Sequence, residues 1–569
     1  KMKKIISITI ALLTLAACEM DFYRSDTMTS AQLKDDPGAA VYTTDGIYSM
    51  FKDVCQYKGE TYSGNTYVRH YFQMSEFRGD NVCLSGQTSD PLCEEMRYTD
   101  YSTQRSNCYM WFIAYKIIYA ANSNIEAIEP GASSESDHIL GENYFFRAIA
   151  HLHLVTLYAT PYVAGRDKPG VVLRKSTDCS TTTRATVGEI YDQIVEDLKT
   201  AAQYLATGSD RGDHGYITAD AAKGLLTRVY LYMEENQKCL DLCNEMLGSN
   251  PADKLDPDLD NYFINARTSK ETLWCVAHMS TDTQNRSSIG SMYYSTDGTG
   301  GTGWGEMYWS DPLMELFLRY PQDKRFNAYF SIYGKLGDGT KMVHWPIDDG
   351  VNNFRSNAIV AGNGKGLTPN AAGNITFTYG GKTYTTTNEL VNGYPAYFIT
   401  YEGQKTQVYI RDNTDYATGT RNTYPQYYMS KFSWQDGDPM LSSPVMIRWA
   451  EVILNRAEAN AKLGNDQKAL DDVNVIRTRA GLTGDAQMTL GNYASRGYAS
   501  VLDVVLDERR MELCFEGHRA FDVFRNKKKM DRRFAGVQPW EVVDWTDNRI
   551  PYQIPSDEII TSGIDQNPR

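Results

Sequence analysis

Apolar residues recur at helical spacing in two stretches of this chain and lose that period between them. In the first, from about 38 to 250, Trp111 to Asn122 carries apolar side chains every three or four positions, and Tyr144 to Tyr158 does so again with Ala148, Leu152 and Val155 in step. Both predict buried helices. A third follows over Asp220 to Tyr232, and Asn236 to Leu247 makes its antiparallel mate after a short break. Helix pairs joined by tight turns are the units that stack into solenoids.

The second stretch runs from about 444 to 526. Met446, Ala450, Ile453, Ala457 and Ala461 share one helix face whose far end is alanine, which lets a neighbour approach closely, and Gly464-Asn465 stops it. Asp466 to Ala480 is the partner helix, with Ala469, Leu470, Val473 and Ile476 aligned, and the two span about one tetratricopeptide unit of roughly 34 residues. Ser500 to Phe515 adds a helix with Val501, Val504, Val505 and Met511 inward. Between the blocks, the Gly-rich run Asp297 to Gly305 excludes helix and strand, while Ile375 to Tyr384 reads as a hairpin turning at Gly380-Gly381. The fold expected is mainly α: a tetratricopeptide-like helical solenoid over 38–279 and 444–569, with a long loop-rich insertion over 280–443 containing short β-hairpins. Insertions of that length are functional or disordered, and the density of Trp and Tyr here argues against disorder.

The N-terminal residues change the picture of location. Lys1, Lys3 and Lys4 precede an apolar stretch from Ile5 to Leu15, and Leu15-Ala16-Ala17-Cys18 has the form of a lipoprotein cleavage site. The expectation is a signal peptide over 1–17, a lipidated Cys18 and a tether over 18–37; the apolar core is too short to span a bilayer as a helix. Nine cysteines remain of 10. Cys83 and Cys93 bracket a polar loop and could form a disulfide outside the cytoplasm; Cys239 and Cys243 sit at i, i+4 on a helix without further metal ligands nearby. Buried thiols are the simpler reading for most of the nine.

Composition narrows function mainly by exclusion. With 57 Lys+Arg against 71 Asp+Glu the formal net charge is −14, which suits no nucleic-acid binder. A hydrophobic fraction of 42% excludes a disordered chain, and a mean hydropathy of −0.47 excludes a multi-span membrane protein. Among the eight His there is no His-Glu-x-x-His, no Gly-x-Ser-x-Gly elbow occurs, and the Gly298 to Gly303 string lacks the strand and helix a phosphate site needs. His151 and His153 point to different sides of a helix. Glu458, Arg477, Arg479, Glu508, Arg509, Glu512, Glu516 and Arg519 lie beside apolar helix faces and read as paired structural charges rather than as glycosidase carboxylates. No catalytic residue, cofactor or metal is expected.

Several of these segments resemble the SusD/RagB family of outer-membrane nutrient-binding lipoproteins. They are the lipobox, Tyr144-Phe145-Phe146-Arg147-Ala148, Gly215 to Lys223, Arg448 to Ala459, Asn474-x-x-Arg477-x-Arg479-Ala480-Gly481-Leu482, Glu508 to Leu513, Glu516 to Asp522, Ile554-Pro555 and Gln566-Asn567-Pro568, in that order. Glu19 and Asp21, directly after Cys18, resemble the signal that sends lipoproteins of the Bacteroides group to the cell surface. The resemblance implies a tetratricopeptide-like scaffold, a lipid anchor facing the cell exterior, and a SusC-like TonB-dependent transporter that the protein caps.

The residues themselves point to binding. Tyr, at 40 against 19 Phe and 9 Trp, suits a surface that meets polar partners. A sugar offers an apolar CH face and a rim of hydroxyls, so its site needs exposed rings flanked by Asp, Asn and Arg. Two regions supply both: Arg78, Asp80 and Asn81 in one loop region, and Tyr293, Tyr294, Trp304, Tyr308 and Trp309 around the Gly-rich run, with Trp345 and Arg355 as further candidates. Trp304, between Gly303 and Gly305, is the ring expected to be most exposed. The sequence leaves glycan or peptide as the captured ligand, with a surface hydrolase disfavoured by the missing catalytic groups.

Overall fold

The computed structural model describes residues 39–84, 92–282, 285–298, 301–333, 336–361, 366–414 and 420–569; Cys18 and the expected leader and tether lie outside them. Helices Arg105–Ala127, Ser134–Tyr158, Val187–Leu205, Ala219–Tyr232 and Asn236–Leu247 pack each on the next in chain order. Their ends are set locally: Thr186 and Glu189 close a capping box, and Ser133, Thr218 and Ser500 each accept the backbone N–H three residues on. The helix Asn236–Leu247 then packs on Trp449–Lys462, which carries Asp466–Arg479 and Val501–Glu512. The two helical stretches therefore form one stack, and the chain between them loops out from its middle.

The neck of that loop is closed twice. Strand Thr272–Cys275 pairs antiparallel with Val445–Arg448, Trp274 facing Ile447, so the chain leaves and re-enters the stack side by side. Met446 thus belongs to a strand, and the helix expected from there starts at Trp449. A buried charge network then locks the neck to the C-terminal helices. Arg448 reaches Glu271 (2.7 Å), Glu512 (2.6 Å) and Glu516 (2.8 Å), Arg479 holds Glu271 (2.7 Å) and Glu512, and Arg325 and Arg477 both hold Glu508. Burial alone would raise the Glu512 carboxyl; Arg479, Arg448 and Arg325 outweigh it and hold it well below the usual range.

The insertion carries more regular structure than the sequence suggested. A five-stranded antiparallel sheet runs Arg355–Val360, Leu336–Asp348, Gln404–Thr414, Tyr394–Tyr401, Thr387–Val391, with its own core of Val343, Trp345, Ala358, Ile375, Phe377, Ile399 and Val408. Helices Asp311–Leu318 and Lys324–Tyr329 precede it. The hairpin Thr376–Tyr379/Lys382–Thr385 turns at Gly380 and Gly381, both at positive φ, as a two-residue turn of this kind requires. The Cys83–Cys93 disulfide that the sequence allowed is not formed: Cys83 is a buried thiol whose Sγ donates to the Ala535 carbonyl at 3.0 Å.

Candidate functional site

The two candidate loop regions do meet, but as an interior seam. Val82–Leu84 pairs with Met307–Trp309, and Ser310 bonds the backbone carbonyls of Asn81 and Asp80. Trp309 is only 2% exposed, packed by Phe317, Phe330 and Phe515 at ring separations of 5.2–5.5 Å. Tyr308 and Tyr293 are buried likewise, Tyr293 against Phe515. The platform expected from Trp304, Tyr308 and Trp309 together is therefore not formed.

The polar candidates in this seam are occupied. Arg78 is buried, paired with Asp100 and lying 3.6 Å over the Tyr552 ring. Asp80 takes Arg519 at 2.6 Å and Arg510 at 3.2 Å; burial pushes its carboxyl up, but the two guanidinium groups prevail and bring it down to about 2. Asn81 donates to Glu76 and accepts from Arg510. Trp345 is 0% exposed in the sheet core. Arg78, Asp80 and Asn81 are turned inward onto protein partners and Trp345 is enclosed by the sheet core, which corrects the expectation that they meet ligand.

What faces out is different. Of nine Trp, only Trp304 (41%) and Trp434 (38%) are exposed, and they stand on adjoining loops. Tyr294 joins them: its ring meets Trp434 edge-on at 5.9 Å, and the Tyr294 carbonyl, with Met440 of the Trp434 loop, lies where a side chain at Gly303 would have to go. Burial raises the Tyr294 phenol above its ordinary pKa, a hydrogen bond from Trp434 offsetting part of the shift.

The loops are held from behind. Arg421 donates to the carbonyls of Trp304 (2.9 Å) and Gly305 (2.7 Å), and Arg286 bonds Gly301 while its guanidinium sits 4.7 Å from the Trp304 ring. Ser287 bonds Ser63 at 2.8 Å, next to the exposed Tyr62, which Arg105 caps. Trp434 sits at φ 72°, ψ 9°, a left-handed conformation that costs a non-glycine residue roughly 1–2 kcal/mol. The turn enforces it: Trp434 N–H bonds Asp438, and Gln435 is fixed by His278 and Ser443. Strain of this kind persists where the surroundings over-determine it.

Trp434 was missed by sequence reasoning. Its signal was a Trp set in a Gln435-Asp436-Gly437-Asp438-Pro439 turn at the end of the insertion. Arg355 lies elsewhere, half-buried in a polar groove with its guanidinium 5.0 Å from the Trp540 ring. A third cleft, of 620 Å³, follows Trp111, Phe112, Tyr115 and Tyr119 along one helix, with a largely apolar wall. Among the described residues no group of three or more His, Cys, Asp or Glu could hold a metal, and no helix is long and apolar enough to cross a membrane. His151 and His153 are buried packing residues, His153 stacked on Tyr71 and bonded to Tyr67.

Two family models match the chain: one described as SusD family over residues 270–558, and one described as "Starch-binding associating with outer membrane" over 52–231. SusD-like protein P25 of Formosa agariphila is 22% identical over 486 residues, 82% of this chain and 77% of its own length. Among solved structures, a SusD superfamily protein from Bacteroides thetaiotaomicron superposes with a TM-score of 0.67 at 22% identity, covering 94% of this chain and all of its own. A SusD-like carbohydrate binding protein from Bacteroides vulgatus gives a TM-score of 0.62 at 17% identity, covering 92% and 96%. Both share the fold.

Proposed function

This chain belongs to the SusD family, and from that premise we propose that it is a non-enzymatic nutrient-binding lipoprotein of the outer membrane, capturing oligosaccharides on the surface formed by Tyr294, Trp304 and Trp434. The observation that carries the reading is the exposure of two of nine Trp on adjoining loops, one of them in a strained backbone conformation. Flat rings flanked by Arg286 and Asp436 match the alternation of CH faces and hydroxyls on a sugar. Peptide capture would instead call for backbone partners and pockets.

Catalysis is not part of the proposal, because Glu508 and Glu512, the nearest thing to a carboxylate pair, are consumed by buried arginines. We read the helix pairs as tetratricopeptide-like, the segment 280–443 as the ligand-binding insertion, and Cys18 as a lipid anchor facing the cell exterior. A tethered binder cannot itself move a large ligand across the membrane, so the ligand would pass to a SusC-like TonB-dependent transporter. Affinity electrophoresis through gels cast with soluble polysaccharides tests the central claim: the wild type is retarded by its cognate glycan, and Trp304→Ala and Trp434→Ala each release it. Unchanged migration of both variants in a gel that retards wild type would refute the site. For the partner, purification of tagged protein from detergent-solubilised membranes should bring down a large β-barrel; Cys18→Ala should leave the membrane fraction.

A further inference from the structure

Arg355 opens onto a groove of 610 Å³ between the five-stranded sheet and residues 531–540, a volume inside the roughly 300–1,000 Å³ range of small-molecule sites. It is built rather than incidental. The Arg355 carbonyl accepts both the Gly536 N–H (2.8 Å) and the Tyr424 hydroxyl (3.1 Å), and Trp540 N–H bonds Asn353 at 3.0 Å, so the two walls are stitched along their length.

Its chemistry selects a ligand class. Three carboxylates, Asp348, Glu402 and Asp531, line it with three cations, Arg355, Lys405 and Arg533, the Lys405 ammonium bonding Glu389 at 2.5 Å at the edge. Arg533 and Asp531 form a two-point pair (2.8 and 2.9 Å), and Arg355 approaches Asp348 at 3.5 Å. A lining whose charges cancel has no net attraction for an anion or a cation, but each Arg–carboxylate pair offers donors beside acceptors, the arrangement that vicinal hydroxyls satisfy. Trp540 and Tyr401 add rings beside them. A neutral, hydroxyl-rich chain fits all of this.

The groove is also tied to the Trp304 loop. In the short hairpin Thr420–Arg421/Tyr424–Pro425, Arg421 and Tyr424 are direct partners; Arg421 holds the Trp304 and Gly305 carbonyls, and Tyr424 holds that of Arg355. One short hairpin therefore holds the backbone behind both sites. We infer that the groove is a second saccharide site, occupied by a distal part of the glycan whose nearer part stacks on Trp304. The inference rests on the glycan reading of that surface, and it makes the protein a binder of long neutral chains, with affinity gained by engaging two places on one molecule.

Chain length is the test. The full protein is run in gels containing soluble starch, xylan, mannan or galactan, and whichever polymer retards it is titrated as intact polymer and as its trisaccharide. Trp540→Ala and Arg533→Ala should weaken binding of the polymer at least tenfold while trisaccharide affinity stays within twofold, and Trp304→Ala should weaken both. Arg533 is exposed, so its variant folds even if Trp540→Ala, checked by its melting curve, does not. Polymer binding at wild-type strength by Arg533→Ala and by a folded Trp540→Ala, with Trp304→Ala impaired, overturns the second site alone. If no polymer retards the wild type, or if Trp304→Ala binds as wild type does, the glycan reading of the Trp304 surface fails first and this inference with it.

Discussion

Two tryptophans five positions apart should respond to truncation in opposite ways. Trp309 is 2% exposed and enclosed by three phenylalanines, so Trp309→Ala leaves a cavity the surroundings cannot close and should cost about 3–5 kcal/mol of stability. Trp304 is 41% exposed; its removal gives up a partial burial and an exposed contact with Arg286 worth about 0.5–1 kcal/mol, and solvent fills the space. A total near 1 kcal/mol is expected. Binding reverses the order: losing a stacking ring at the centre of a ligand surface costs about 1–3 kcal/mol, a five- to 150-fold rise in Kd, whereas folded Trp309→Ala keeps its affinity. Urea midpoints and titration with the retarding glycan measure the two quantities separately. Equal stability losses for both variants, or undiminished glycan binding by Trp304→Ala, would refute the assignment of inward and outward rings.

Acid should destabilise the fold between pH 7 and 4.5, through its histidines. All eight His are lowered, chiefly by burial, His70 and His151 to about 3 and His278 and His518 to about 4. Their stabilising effect is complete above the unfolded value near 6.5 and is lost as pH falls toward the folded one, so His70 and His151 each cost about 2 kcal/mol at pH 5. Glu76 and Glu142, raised by burial to about 7, act in the other direction but are outnumbered. A melting temperature that stays level from pH 7 to 4.5 would contradict this. Iodoacetamide on the native protein should label Cys179 first, since it is the one exposed thiol among the described residues, and reduction should leave the mass unchanged. Glu512→Gln strips the partner shared by Arg325, Arg448 and Arg479 and should cost about 3–5 kcal/mol by urea denaturation, with glycan affinity of the folded fraction intact.

The helices were legible because their apolar faces repeat over many turns: Asn236–Leu247 emerges with the bounds read from sequence. Met446 misled for the same reason, since a strand residue happens to fall in step with the helix that follows it. The sheet was illegible for the opposite reason. Thr387–Val391 is exposed throughout and shows no alternation, and the strand Leu336–Asp348 is apolar only near Val343 and Trp345, so neither carried the period-two signal. At the site, composition located the aromatic loops but could not say which ring turns outward; that is decided by Met307–Trp309 pairing with Val82–Leu84, a contact over more than 200 positions. Cys83 was misread likewise, its neighbour being Ala535 from the far end of the chain.

The surface rings owe their placement to buried residues behind them. Tyr293 is fully buried against Phe515 while Tyr294, its neighbour, is half-buried, so the core fixes the loop that presents the ring, and little freedom remains to be lost on binding. Gly303 makes the dependence testable. It does not need a left-handed backbone, but a Cβ there would run into the Tyr294 carbonyl and lie 2.9 Å from Met440 Cε. Gly303→Ala must therefore push the Trp304 segment off the loops bearing Tyr294 and Trp434 while every ring is still present. If the rings act as a pre-arranged set, the folded variant should lose roughly as much glycan affinity as Trp304→Ala, about 1–3 kcal/mol, together with a lowered urea midpoint, because Gly303 is buried and the clash is with backbone. Wild-type affinity in Gly303→Ala would mean that the rings bind independently and that the packing behind them contributes nothing to capture.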